Sequence, residues 1–215
     1  MARKSKIQKP INTFTKSSDK FRDAFLCFIA CEGSKTEAQY FAFSFLQHPR
    51  VKLKVIPSEN GHSAPVYVLD GLKNAVKNYD IRKGDSLWLV IDRDRWHYTT
   101  QLKTVAHESI QRKPIRLVVS SPCFELWLYL HVAEMPTEAI LTSEDMETKI
   151  RKVLGSYNKS NLQEEDYRDR VQLAIERSEK SCIGSDELPI NPGTAVHELV
   201  KTILAMKPKA DCKIF

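Results

Sequence analysis

AFLCFIACEGSKTEAQYFAFSFL, residues 24–46, is the stretch whose reading decides the fold. Its first part, 24–31, is an apolar run of the length of a buried strand, far short of the ~20 residues that cross a bilayer. The run stops at Glu32-Gly33. Beyond it the apolar positions Tyr40, Phe41, Phe45 and Leu46 follow a helical pattern. Gly33 permits a sharp turn, and Ser34 with Glu37 three residues on predicts a capping box that starts the helix. Strand, tight turn and helix in this order leave Glu32 at the carboxyl end of the strand. In open α/β sheets that end is where ligands bind.

A second strand end has the same character. The apolar run Leu87-Trp88-Leu89-Val90-Ile91 is followed by Asp92-Arg93-Asp94. Between the two runs, 51–56 alternates apolar and basic residues, as a strand near a sheet edge does. Val68, Leu69, Leu72 and Val76 predict a second helix over about 64–78. A third helix is expected over 100–112, stopped by Pro114. A fourth strand over 115–119 runs into Ser120-Ser121-Pro122, where Ser121 reads as N-cap and Pro122 as first helical residue of 123–134. Strands alternating with helices predict an α/β fold with a mainly parallel sheet and helices on both faces.

After Pro136 strand-like runs disappear, and helical stretches are expected near 143–154, 164–180 and 193–206, with a loop at 185–192. The chain thus divides into a basic flexible tail over 1–22, an α/β domain over 23–136, and a C-terminal helical extension over 137–215 packed on the sheet domain.

Charge is concentrated in the tail. The first 20 residues carry Arg3, Lys4, Lys6, Lys9, Lys16 and Lys20 against Asp19, a surplus of five in a chain of net charge +6. The folded part is therefore close to neutral, and the tail either solubilises the chain or grips phosphates. No secretory leader or membrane-spanning run is evident, and the five cysteines (27, 31, 123, 182 and 212) lack CxxC spacing. These features predict a cytoplasmic protein with buried thiols, without membrane association and without a zinc site. The oligomeric state is not legible.

If the two acidic strands are neighbours, Glu32, Asp92 and Asp94 converge on one edge of the sheet. Residues two apart on an extended segment point the same way, which places Asp92 and Asp94 together. Carboxylates so crowded call for a hard divalent ion, Mg2+ or Mn2+. Such an ion can polarise a phosphodiester and activate water. The competing reading is that all three are ordinary turn acids.

The arrangement resembles the Toprim fold of topoisomerases, primases and nucleases of the overcoming-lysogenization-defect type. More closely, CEGSKTEAQYF at 31–41, VIDRD at 90–94, SPCFELWLYLH at 121–131 and NPGTAVHELV at 191–200 are similar to the RloB-like family of bacterial restriction-linked and phage-defence proteins. The resemblance implies a Toprim-like nuclease domain, Mg2+ dependence, action on nucleic acid in abortive infection, and an ATPase partner encoded nearby. It makes Glu32 a metal ligand or general acid/base, and Asp92 and Asp94 metal ligands. Trp96 stands where a further acid would follow Asp94.

Other candidates are weighed by position. Glu125, in the first turn after Ser121-Pro122, suits the helix dipole; because this helix begins on the same sheet edge, the alternative is a catalytic, second-metal or orienting role. Glu37 is explained by the capping box, with a functional role in the KTE segment as the alternative, and His131 by packing or hydrogen bonding, with catalysis as the alternative. Lys159 is a candidate transition-state contact. Lys35, Arg93 and Arg95 are candidate substrate-binding cations, and Trp96, His97 and Tyr98 can stack on a base. The alternative to an enzyme is a non-catalytic sensor or docking subunit of an ATPase-containing defence complex, served by the charged extension and the basic tail.

Overall fold

The computed structural model describes residues 23–58, 64–93, 99–140, 142–181, 183–184 and 187–206. The basic tail, Asp94, Arg95, Trp96, His97, Tyr98, Cys182 and Cys212 lie outside these residues.

In chain order the elements are β1 (Phe25–Cys31), α1 (Thr36–Ala42), β2 (Val51–Ile56), α2 (Pro65–Val76), β3 (Ser86–Asp92), α3 (Thr99–Ala106), β4 (Ser109–Ile110), β5 (Lys113–Ser121) and α4 (Glu125–Val132). They continue with α5 (Ser143–Leu154), α6 (Val171–Ser178), β6 (Gly193–Thr194) and α7 (Val196–Met206). The sheet runs β2-β1-β3-β5, all parallel. The short strands β4 and β6 pair antiparallel with the two ends of β5.

The period of two along each strand divides the core between the two faces. Leu26, Phe28 and Ala30 of β1 and Leu87, Leu89 and Ile91 of β3 pack with Val68, Leu69 and Leu72 of α2 and Leu102 and Val105 of α3. Cys27, Ile29, Cys31, Trp88 and Val90 face the other way, toward Tyr40 and Phe41 of α1 and the apolar residues of α4 to α7. Burial on both faces is why β1 and β3 read as unbroken apolar runs. A mainly parallel sheet with helices on both faces is thus what these residues build. Buried Asp85 ties the two central strands at their start, its carboxylate accepting the N–H groups of Leu26 and Arg82, both at 2.8 Å.

Several local expectations are corrected. Helix α1 starts at Thr36, with Lys35 in the N-cap position and no side-chain cap, so Ser34 makes no capping box. The third helix ends at Ala106, because the chain then turns back through Gln111 and Arg112, both at positive φ, to form the β4–β5 hairpin. Ser121 is the last residue of β5 and not a helix cap, since its backbone is used in pairing with Gly193. Helix α4 therefore begins at Glu125 with Phe124 before it. The stretch expected to be helical over 164–180 opens with two short 3-10 turns before α6. Strand structure also returns after residue 136, because β6 completes the outer edge of β5. Residues of α5, α6 and α7 share one apolar core with β1 and β3, so this part of the chain closes the second face of the sheet.

Candidate active site

The parallel register sets Cys31 of β1 opposite Val90 of β3. Pairing continues one residue further, with the Glu32 N–H donating to the Val90 carbonyl at 3.0 Å. That fixes the Glu32 backbone beside the end of β3. Its side chain turns across the seam, and Oε2 accepts the Asp92 N–H at 3.0 Å. Two acids 60 positions apart are thereby joined at the carboxyl edge of the sheet. On the other side Asp92 is in register with Ser120 of β5. The next N–H, of Arg93, donates to the carbonyls of Ser120 at 2.8 Å and Pro122 at 3.1 Å.

The strand order reverses between β1 and β3, since β1 leads out to β2 on one side while the chain returns to β3 on the other. Such a switch point opens a crevice at the carboxyl edge, where ligands of open α/β sheets sit. Glu32 and Asp92 stand at its lip.

Two further acids are buried behind it. Glu37 is 3% exposed and turns back so that Oε1 accepts the Gly33 N–H at 2.9 Å. A side chain at position 33 would collide with this carboxylate, its Cβ falling 2.6 Å from the Glu37 carboxyl carbon. Glycine at 33 thus leaves the room in which the Glu37 carboxylate lies against the turn, and a larger residue would displace that carboxylate. Burial is the main cause that pushes the Glu37 carboxyl up to about 7, and the nearby Glu125 carboxylate adds to it. Glu125, 7% exposed, is also raised, first by burial, with Lys159 opposing. Burial raises the thiols of Cys31 and Cys123 well above their ordinary range, and the charge of Asp92 adds to both. These cysteines are inert walls of the acidic edge, not nucleophiles.

The basic candidates are placed less centrally. Arg93 donates from Nη1 to the Pro189 carbonyl at 3.2 Å, which lashes the loop before β6 to the end of β3. The exposed Lys159 ammonium pairs with Glu147 at 2.8 Å and is close enough to Glu125 to lower its carboxyl. Lys35 is exposed beside the turn, and its carbonyl accepts from the Gln39 N–H and Nε2. His131 is buried between Tyr40 Oη, 3.1 Å from Nε2, and the Trp127 carbonyl, 3.0 Å from Nδ1. It is a packed residue. Asp94 and Arg95 lie outside the described residues. Among the described residues no group of three His, Cys, Asp or Glu side chains is arranged to hold a metal ion.

The capping box that the sequence predicts for Glu37 does not form; its carboxylate instead accepts the Gly33 N–H and lies within electrostatic reach of Glu125. The available signal was Gly33 itself, four residues before an acid that a helix start did not need. Sequence reasoning also missed the hydroxyl pair that fastens β6 to β5, Ser120 Oγ and Thr194 Oγ1 at 2.8 Å, both fully buried.

A family model described as RloB-like protein matches residues 27–203, a span that holds Glu32, Asp92, Asp94, Glu125 and Lys159. No curated protein and no solved structure matches the chain.

Proposed function

The chain belongs to the RloB-like family, and from that premise we propose that it is a metal-dependent phosphodiesterase that cleaves RNA, such as tRNA, or DNA in bacterial anti-phage defence. The observation that supports the activity is the carboxylate of Glu32 held on the Asp92 N–H at 3.0 Å, at the switch point of a parallel sheet. The defence role, abortive infection, and an ATPase partner that restrains the nuclease are the parts of this reading that follow the family resemblance.

The donor set fits a divalent cation in its chemistry. Glu32, Asp92 and Asp94 offer only oxygen, which suits Mg2+ or Mn2+. Behind them Glu37 and Glu125 are acids made costly to ionise by burial, a penalty that nearby positive charge offsets. Glu32, Asp92 and Asp94 are the residues that would hold the ion, which when bound polarises the phosphodiester and acidifies a water.

The chain's own side chains do the rest. Glu32 is oriented by the bond from Asp92 N–H, so its carboxylate needs no rearrangement before substrate arrives. Glu125, holding its proton to higher pH than an ordinary carboxyl, is the candidate general acid/base. Lys159 and Lys35 are exposed cations on the flank of the acids, suited to phosphate oxygens, and Arg93 and Arg95 bracket Asp94 in sequence. Arg93 holds the Pro189 carbonyl as well, so it positions the edge besides contacting substrate.

Purified chain is expected to cleave tRNA, single-stranded RNA or DNA with Mn2+ or Mg2+ and to stop on chelation. Cleavage that survives both Glu32→Ala and Asp92→Ala overturns the reading. Crystals soaked in Mn2+ are expected to show anomalous density between Glu32 and Asp92; density only elsewhere removes the metal assignment.

A further inference from the structure

An open cavity of about 340 Å³ lies in the segment between α5 and α6, lined by Tyr157, Asn158, Asn161, Gln163, Asp166 and Tyr167 among others. This segment is fixed against α1 by Gln39. Gln39 donates from Nε2 to the Lys159 carbonyl at 2.9 Å and accepts the Leu162 N–H on Oε1 at 2.9 Å. Tyr157 is close enough to Glu125 for that carboxylate to raise its phenol, after burial. The cavity therefore lies beside α1 and within electrostatic reach of Glu125, and its volume is at the small end of the ~300–1,000 Å³ range of ligand pockets.

Its chemistry is selective. Among the described residues none that lines it is Lys or Arg, and it carries the Asp166 carboxylate, so a phosphate group is disfavoured inside it. Tyr167 is a rigid wall, its ring stacked on Phe43 at 5.8 Å and 20°. The Tyr157 hydroxyl is buried without a hydrogen-bond partner among the described residues. Asn158 uses Oδ1 to accept the Ser160 N–H at 2.9 Å, which leaves its amide as donor. Gln163 uses Nε2 to donate to the Asn161 carbonyl at 3.1 Å, which leaves its oxygen as acceptor. Donor and acceptor amides on the exposed rim, with phenol rings behind, complement a flat heterocycle whose edge both accepts and donates.

We propose that this cavity is a nucleobase pocket, which takes one unpaired base of the substrate while the adjoining phosphodiester lies at the Glu32–Asp92 edge. This rests on the nuclease reading and narrows it to single-stranded or unstacked nucleic acid, because a base inside a duplex cannot present its edge and face to such a cavity.

The test needs no cleavage. The full chain, with chelator present, is titrated with the four nucleoside 5′-monophosphates and with ribose 5-phosphate, and the side-chain amide resonances of Asn158, Asn161 and Gln163 are followed. The expected result is saturable shifts with at least one nucleotide and none with ribose 5-phosphate. Asn161→Ala and Tyr157→Phe are expected to weaken the nucleotide severalfold, and Tyr157→Ala roughly tenfold, the size of a lost stacking contact. Asn161 is exposed, so its variant should fold. Unmoved amides with every nucleotide, or equal shifts with ribose 5-phosphate, overturn the pocket. A chain that binds bases here but neither cleaves with metal nor takes up Mn2+ between Glu32 and Asp92 overturns the nuclease reading alone. One that cleaves with these amides unmoved overturns the pocket alone.

Discussion

Glu32 Oε2 accepts the backbone N–H of Asp92 at 3.0 Å, so the acid that ends β1 is anchored on the acid that ends β3. The bond does two things at once. It satisfies a peptide group at the point where the β-ladder stops, and it fixes a carboxylate at the mouth of the crevice between the two strands.

Charge and anchoring can be separated at Glu32. Glutamine keeps an oxygen for the Asp92 N–H, so Glu32→Gln should change stability by less than about 1 kcal/mol, whereas Glu32→Ala leaves that N–H without its acceptor and should cost about 1–2 kcal/mol. Both should lower metal-dependent cleavage by roughly 100-fold or more, as should Asp92→Asn. Thermal unfolding beside a cleavage assay measures both effects. Full activity in Glu32→Gln would show that the carboxylate charge is not used.

Glu37 should make the fold weaken as pH rises. Its folded-state carboxyl is pushed up to about 7 from the ordinary 4.5, mainly by burial. Below 4.5 the group is neutral folded or unfolded and costs nothing. Between 4.5 and 7 the unfolded chain ionises while the folded one holds its proton, and stability falls. Glu37→Gln, which keeps an oxygen for the Gly33 N–H, should be the more stable protein at pH 8 by about 1–3 kcal/mol, and equal to wild type at pH 4. Denaturant melts with chelator present across this range decide it; a difference independent of pH would be against it.

His131 has the opposite sign. Burial is the main cause that lowers its imidazole to about 3, so it is neutral in the fold. Its contribution is complete above 6.5, the ordinary value, and is lost as pH falls toward 3. From 4.5 to 6.5 the slopes of His131 and Glu37 oppose each other. In Glu37→Gln the rise of stability with pH through this window should consequently be steeper than in wild type. An unchanged slope would mean that Glu37 titrates normally, and a flat profile in Glu37→Gln would mean that His131 does.

The Ser120–Thr194 hydroxyl pair should show strong coupling. Each single change, Ser120→Ala or Thr194→Val, strands a buried hydroxyl or its neighbour and should cost about 1–3 kcal/mol, while the double variant should cost less than the sum. Because Ser120 accepts the Arg93 N–H through its carbonyl and is in register with Asp92, loosening β6 should also reduce cleavage. Additive costs in a double-mutant cycle would argue that the two hydroxyls act independently.

Much of the fold was legible because its signals are local. Apolar runs such as 24–31 and 86–91 are strands in any setting that buries both faces, and Val68, Leu69, Leu72 and Val76 can share a face only on a helix. Helix α5 formed over 143–154 as expected, because Thr142 and Asp145 close a capping box within four residues of chain. Where the reading went astray, a distant partner had claimed the backbone. Ser121 looks like a helix cap until Gly193 pairs with it, and residues 193–194 look helical until β5 offers an edge.

The sequence by itself determined the strand-turn-helix unit, the acids at two strand ends and the resemblance that joins them to one family, since each depends on residues close together in the chain. Only the tertiary structure decided that Glu32 and Asp92 meet, because strand order and register are settled by which faces can be buried together. It also decided that Glu37 turns inward onto Gly33, since packing, and not helix capping, sets where that carboxylate lies.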